Sequence, residues 1–148
     1  MASILDYCSG AAQLAFDAGA VLLSEGRKTN RLYVLIEGSI EIVRDGVQVA
    51  IVNEPGSIFG EMSLLLDLPH TATVQALTKG RAYELEDAKT FLRSRPDTAI
   101  YLAELLALRL DEATTIMVDL KQHFQAQADR VANIRSILEG LPQHRRSV

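Results

Sequence analysis

An antiparallel, mainly β barrel or roll followed by one long α-helix is the fold this sequence predicts, on three observations. Glycines at 19, 26, 38, 46, 56, 60 and 80 cut residues 12–86 into short runs rich in Val, Ile, Leu and Tyr, the spacing of many short strands joined by turns. After Asp87 the apolar period changes from 2 to 3.6. Beyond Arg95-Pro96-Asp97 the helical pattern runs on without Gly or Pro as far as Glu139.

Taken in order, a short N-terminal helix is expected first, then strands at Leu32–Ile36, Ile40–Val43, Val47–Val52, Ala72–Leu77 and Ala82–Leu85. Asp45-Gly46 between two of these runs is a strong hairpin-turn signal. Asp87 is placed to cap a post-roll helix, and Gly140 with Pro142 stops the long one. The expected organisation is a roll unit with flanking short helices over 1–96, a long helix over 97–140 and a tail over 141–148.

The long helix needs a partner. Some 40 residues at about 1.5 Å each make a rod of about 60 Å, too long for a small roll to cover. Leu106, Leu110, Ala113, Met117, Leu120, Phe124, Gln127, Val131, Ile134 and Leu138 follow one another at alternating steps of four and three, a coiled-coil seam with Gln127 as its one polar member. A homodimer joined through 106–138 is therefore expected. Flanking charges leave the orientation open, since Arg130 and Arg135 would face each other in a parallel pair.

Composition excludes several classes. With 148 residues, 48% hydrophobic positions, a net charge of −4 and a pI near 5.3, the chain builds one ordinary core and has no basic face that would suit DNA or RNA. One cysteine, Cys8, makes no internal disulfide, and His70, His123 and His144 are spread too widely to share a metal. A barrel-type metal enzyme would want several histidines on adjoining strands, and only His70 lies in the β region. No basic leader with a long apolar run opens the chain and no stretch reaches membrane length, so a cytoplasmic protein without a membrane partner is expected.

Chemistry concentrates in Ile58 to Gln75, IFGEMSLLLDLPHTATVQ. Gly60-Glu61 opens a short apolar turn whose first backbone N–H groups lack helical partners, a ready place for an anion. A carboxylate beside an anion is unfavourable unless the same ligand donates hydrogen bonds to it, and sugar hydroxyls are suitable donors. Phosphate plus sugar points to a nucleotide.

Phe59-Gly60-Glu61, Leu64-Leu65-Leu66, Pro69 and Thr71-Ala72-Thr73-Val74 together resemble the phosphate-binding cassette of the cyclic nucleotide-binding domain, as found in the catabolite-activator (Crp/Fnr-like) superfamily. The likeness extends through Phe16-x-x-Gly19, Glu25-Gly26, Leu32-Tyr33-x-Leu35-x-x-Gly38, Tyr83-x-Leu85 and Phe91, covering roughly residues 12 to 120. It implies an antiparallel, jelly-roll-like β-roll with a C-terminal dimerisation helix in parallel pairing. It also implies cyclic AMP or cyclic GMP as ligand, with no other cofactor and no metal.

By this resemblance the ligand set is Phe59, Gly60, Glu61, Met62, Ser63, His70, Thr71 and Ala72, with Glu61 accepting the ribose 2′-hydroxyl and Thr71 and the Ala72 N–H meeting the phosphate. Thr114 is the helix position that would approach the base. The implied role is a regulatory sensor, not an enzyme, signalling through the dimer helix to an effector protein still to be identified. A helix-turn-helix usually follows this helix in the family; with the sequence running to Val148, a stand-alone form without DNA binding is expected.

One position departs from the pattern: where good cyclic nucleotide binders carry an arginine before Thr71-Ala72, this chain has His70. Imidazole lacks the planar fork and the permanent charge of guanidinium. If it meets the phosphate, binding is expected to be weak at neutral pH and to strengthen toward about pH 6 as the ring gains a proton. Two alternatives follow from the same departure: a degenerate cassette serving a dimeric interaction module, or a pocket for another small molecule.

Overall fold

The computed structural model describes residues 3–141, so the expected stop at Pro142 and the tail with His144 and Arg145-Arg146 lie outside the described residues. The chain divides into one unit through Leu102 and a second from Ala103. In the first unit, α1 (Ile4–Tyr7) opens on a capping box in which the Ser3 hydroxyl and the Asp6 carboxylate each accept a backbone N–H of the other's turn. Its Ile4 is buried and meets the turn at Gly56.

Eight strands follow: β1 (Ala12–Phe16), β2 (Val21–Leu23), β3 (Leu32–Glu37), β4 (Ile40–Arg44), β5 (Val47–Val52), β6 (Ile58–Phe59), β7 (Thr73–Ala76) and β8 (Gly80–Leu85). They form two four-stranded sheets in the orders β1-β8-β3-β6 and β2-β7-β4-β5, every pairing antiparallel. This is an open antiparallel roll of the kind the sequence predicts. Asp45 and Gly46, at φ 50° and 75°, make the hairpin between β4 and β5.

Alternation along the strands sends one set of side chains between the sheets. Phe16, Leu23, Tyr33, Leu35, Ile40, Phe59, Val74, Ala76 and Ala82 form that core. Each large apolar group there contributes about 1.5–3 kcal/mol relative to exposure. At one end β1, β3 and β8 are drawn close: a methyl group on Gly80 would fall 2.2 Å from the Glu37 carbonyl oxygen and 2.7 Å from the Phe16 ring.

Three strands went unrecognised in the sequence, namely β1, β2 and β6. Helix α2 (Glu61–Leu66) sits between β6 and β7, and α3 (Ala88–Ser94) follows β8. Asp87 occupies the N-cap of α3 as expected, but its side chain makes no capping bond there. Arg95 then breaks the path, its guanidinium lying 5.7 Å over the Phe91 ring.

Helix α4 (Pro96–Glu139) begins with proline at its first position, where no N–H is needed, and ends at Gly140. Thr98 in its first turn is buried and donates to the Arg95 carbonyl at 2.6 Å. In the second unit α4 leaves its apolar residues exposed in the single chain, including Leu110, Leu120, Phe124, Val131, Ile134 and Leu138. Among the described residues no helix is long and apolar enough to cross a membrane, and no group of His, Cys, Asp and Glu is arranged to hold a metal ion.

Candidate functional site

Gly60 fixes the geometry of the cassette. It stands at φ 95° at the N-cap of α2, and a Cβ there would lie 2.7 Å from the Arg31 carbonyl oxygen and 3.2 Å from Leu23 Cδ1. Both the left-handed backbone and the close approach require glycine. Glu61, next in the chain, is thereby the first residue of α2 and is buried, as are Ser63 and Leu64 on the same short helix. A carboxylate in this first turn also suits the helix dipole.

The far end of α2 is closed by local bonds. Asp67 adopts φ 56° and donates its N–H to the Ser63 carbonyl, the Leu68 N–H reaches the same carbonyl at 3.2 Å, and the Ser63 hydroxyl donates to the Leu68 carbonyl. Lys28, hydrogen-bonded to Asp67 at 2.8 Å, holds that carboxyl below its usual range. This pair is well exposed and stabilises little. Met62, Leu65, Leu66 and Leu68 turn outward and leave an apolar surface on the cassette.

Beyond Pro69 the chain is strapped to the loop that joins β2 to β3. Ser24–Arg27 is a tight turn, with the Arg27 N–H on the Ser24 carbonyl at 3.1 Å and Gly26 at φ 81°. The Gly26 N–H donates to the His70 carbonyl at 2.9 Å, and the His70 N–H donates to the Arg27 carbonyl at 2.8 Å. The Glu25 N–H donates to Thr73 Oγ1 at 3.1 Å, and the Glu25 carboxylate in turn accepts the Asp45 N–H. Thr29 Oγ1 lies 2.8 Å from His70 Nε2.

His70 is therefore a clamp within this strap. Its ring is buried, and that burial lowers its pKa from the ordinary histidine value. An affinity that rises toward acid would need a ring free to meet the phosphate, whereas here Thr29 holds the ring and desolvation favours the neutral form. The sign for stability runs the other way: with the folded pKa depressed, His70 favours the fold above its unfolded value of about 6.5, and the advantage is lost as pH falls through the folded value. His70→Gln should thus lose less melting temperature between pH 7 and pH 5 than the unmodified protein does, with the difference between the two constant above pH 7. Parallel melting curves across this range would count against a buried neutral imidazole.

Of the other residues the sequence singled out, Phe59 belongs to the core beside Tyr33, and Ser63 is spent on the α2 terminus. Met62 is half exposed, while Thr71 and Ala72 are half-buried between His70 and β7. Thr114 is an exposed residue of α4 in the second unit. Arg27 and Thr29 were not anticipated. The available signal was the basic run Arg27-Lys28-Thr29-Asn30-Arg31, out of character in a chain of net charge −4.

A buried carboxylate thus follows an obligatory glycine on a short helix inserted between strands of an antiparallel roll. Residues 13–93 match the cyclic nucleotide-binding domain, and the chain belongs to that family. It is 31% identical over 111 residues to the CRP-like cAMP-activated global transcriptional regulator of Mycobacterium tuberculosis, a match over 71% of this chain and 50% of that protein. The chain thus spans about half the length of that regulator. Among solved structures, the catabolite activator protein of Thermus thermophilus shares 30% identity with a TM-score of 0.69, over 91% of this chain and 66% of that one. The regulatory subunit of a cAMP-independent protein kinase A from Trypanosoma cruzi, bound to guanosine, shares 28% identity with a TM-score of 0.51, over 55% and 29%.

Proposed function

We propose that this roll is a regulatory sensor that binds a nucleoside cyclic phosphate, cyclic AMP or cyclic GMP, and that α4 joins two chains into a homodimer and passes the signal to an effector protein. The observation that carries this reading is the buried Glu61 behind Gly60 within the family match over 13–93. Glu61 accepts the ribose 2′-hydroxyl, the Thr71 hydroxyl and Ala72 N–H donate to the phosphate, and Gly60 lets the backbone ahead of Glu61 lie against the Arg31 carbonyl. Phe59 and Ser63 hold this platform from below, Met62 rims it, and His70 shapes its far edge. The break at Arg95-Pro96, where α3 gives way to α4, is the hinge that lets occupancy change the helix. No step of this role needs catalysis.

The reading is tested by calorimetry with cyclic AMP and cyclic GMP. Glu61→Ala should weaken binding of the preferred nucleotide by about ten- to a hundred-fold, the equivalent of a lost charge-assisted hydrogen bond of ~1.5–3 kcal/mol. An unchanged affinity would remove Glu61 from the sugar contact.

A second reading has specific support: the pocket takes a nucleoside without phosphate. A neutral, clamped His70 where an arginine is expected leaves the phosphate end poor in charge, and one structural relative holds guanosine. Adenosine and guanosine in the same titrations separate the two. If none of the four ligands binds at millimolar concentration, the roll is an interaction platform instead.

A further inference from the structure

We propose that Arg27, and not residue 70, supplies the cation for the ligand's phosphate in this protein. The inference rests on the cyclic-nucleotide reading above and deepens it. A phosphate brought next to a buried carboxylate such as Glu61 meets two unfavourable conditions at once, like charge and a partly dehydrated site, and a permanent cation offsets both. His70 is unsuited to that role, since its ring is buried, held by Thr29 and biased toward the neutral form.

The loop strapped against the cassette carries three cations, Arg27, Lys28 and Arg31. Lys28 is committed to Asp67 at 2.8 Å. Arg31 is tied to Tyr33 and to Glu84 on β8, 3.7 Å away. Arg27 is exposed, and among the described residues its side chain has no hydrogen-bond or ion-pair partner.

Its backbone, in contrast, is firmly placed. The Arg27 carbonyl accepts the His70 N–H, its own N–H closes the turn on Ser24, and the neighbouring Gly26 and Glu25 are bonded to His70 and Thr73. Arg27 therefore starts beside the residue that immediately precedes Thr71 and Ala72, the two phosphate donors. From that anchor a long guanidinium side chain has the length to meet a phosphate held by Thr71 and Ala72 from the loop instead of from the strand. Because guanidinium stays charged at every relevant pH and offers a planar pair of donors, it restores what the histidine removed.

The test is isothermal calorimetry of the full chain with cyclic AMP, cyclic GMP, adenosine and guanosine, on the unmodified protein and on Arg27→Gln, Arg27→Lys and Lys28→Gln. Arg27→Gln should weaken cyclic nucleotide binding by ten-fold or more while leaving any nucleoside affinity within about two-fold, because a nucleoside has no phosphate to lose. Arg27→Lys should fall between the two, and Lys28→Gln should stay close to the unmodified protein. Melting curves should superimpose for the two Arg27 variants, whose side chain holds nothing else.

Cyclic nucleotide binding that survives Arg27→Gln unchanged overturns the proposal and leaves the sensor reading intact. Equal loss of nucleotide and nucleoside affinity also overturns it, since that is the mark of a disturbed loop. An unmodified protein that binds neither cyclic nucleotide overturns the sensor reading and the proposal with it.

Discussion

Lysine at both Leu120 and Phe124 is expected to convert the protein from a dimer to a monomer, read by sedimentation velocity at micromolar concentration. In the single chain these two side chains are 50% and 63% exposed, and Leu110, Val131, Ile134 and Leu138 on the same seam are no better covered. Burying one such group contributes about 1.5–3 kcal/mol, so a paired seam of this length gains far more than association costs. Two charges at adjoining core positions on each helix would oppose one another across the seam, where water cannot screen them well. A parallel pair would carry two weak points, Arg130 opposite Arg135 and Gln127, which pairs with His123 of its own helix at 3.2 Å. Both are smaller effects than the lost apolar core. An unmodified protein that sediments as a monomer would remove the basis for this reading of α4.

Gly60→Ala should have the largest effect at the cassette. A left-handed backbone costs a residue with a Cβ roughly 1–2 kcal/mol, and crowding the Arg31 carbonyl adds typically ~1–3 kcal/mol. Together these lower the melting temperature of the roll by roughly 10 °C or more. The same shift moves Glu61, so ligand affinity should fall along with stability. Gly10→Ala is the matching control, because a Cβ at Gly10 meets nothing within 4 Å and should change neither quantity. A Gly60→Ala protein with an unaltered melt would mean that the backbone here relaxes more freely than its contacts indicate.

The roll was legible where strands are long enough to show a period. β5 occupies Val47–Val52 as expected, β3 and β4 extend their expected runs by one residue, and the Asp45-Gly46 turn lies where its two residue types required it. β1 escaped because Ala12-Gln13-Leu14-Ala15-Phe16 carries a composition that suits a helix; its strand state comes from the ladder with β8, from Ala12 opposite Glu84 to Phe16 opposite Gly80. β2 and β6, three and two residues long, cannot display an alternation. At the site, the glycine, the carboxylate and the short helix were readable because they are neighbours in the chain. The setting of His70 was not, because its partner Thr29 is 41 residues away and a local pattern carries no trace of such a contact.

The strap between residues 25–29 and 70–73 has a consequence for how the molecule opens. Its bonds join segments separated by more than forty residues, so neither can loosen without the other, and the two behave as one cooperative block in the sense of a shared local unfolding event. Substitutions in the β2–β3 loop at positions other than Arg27 can then change how long a ligand stays without touching it, by changing how often that block lets go. A family that must retune its sensitivity while keeping its contact residues has in such a loop a second, largely independent dial.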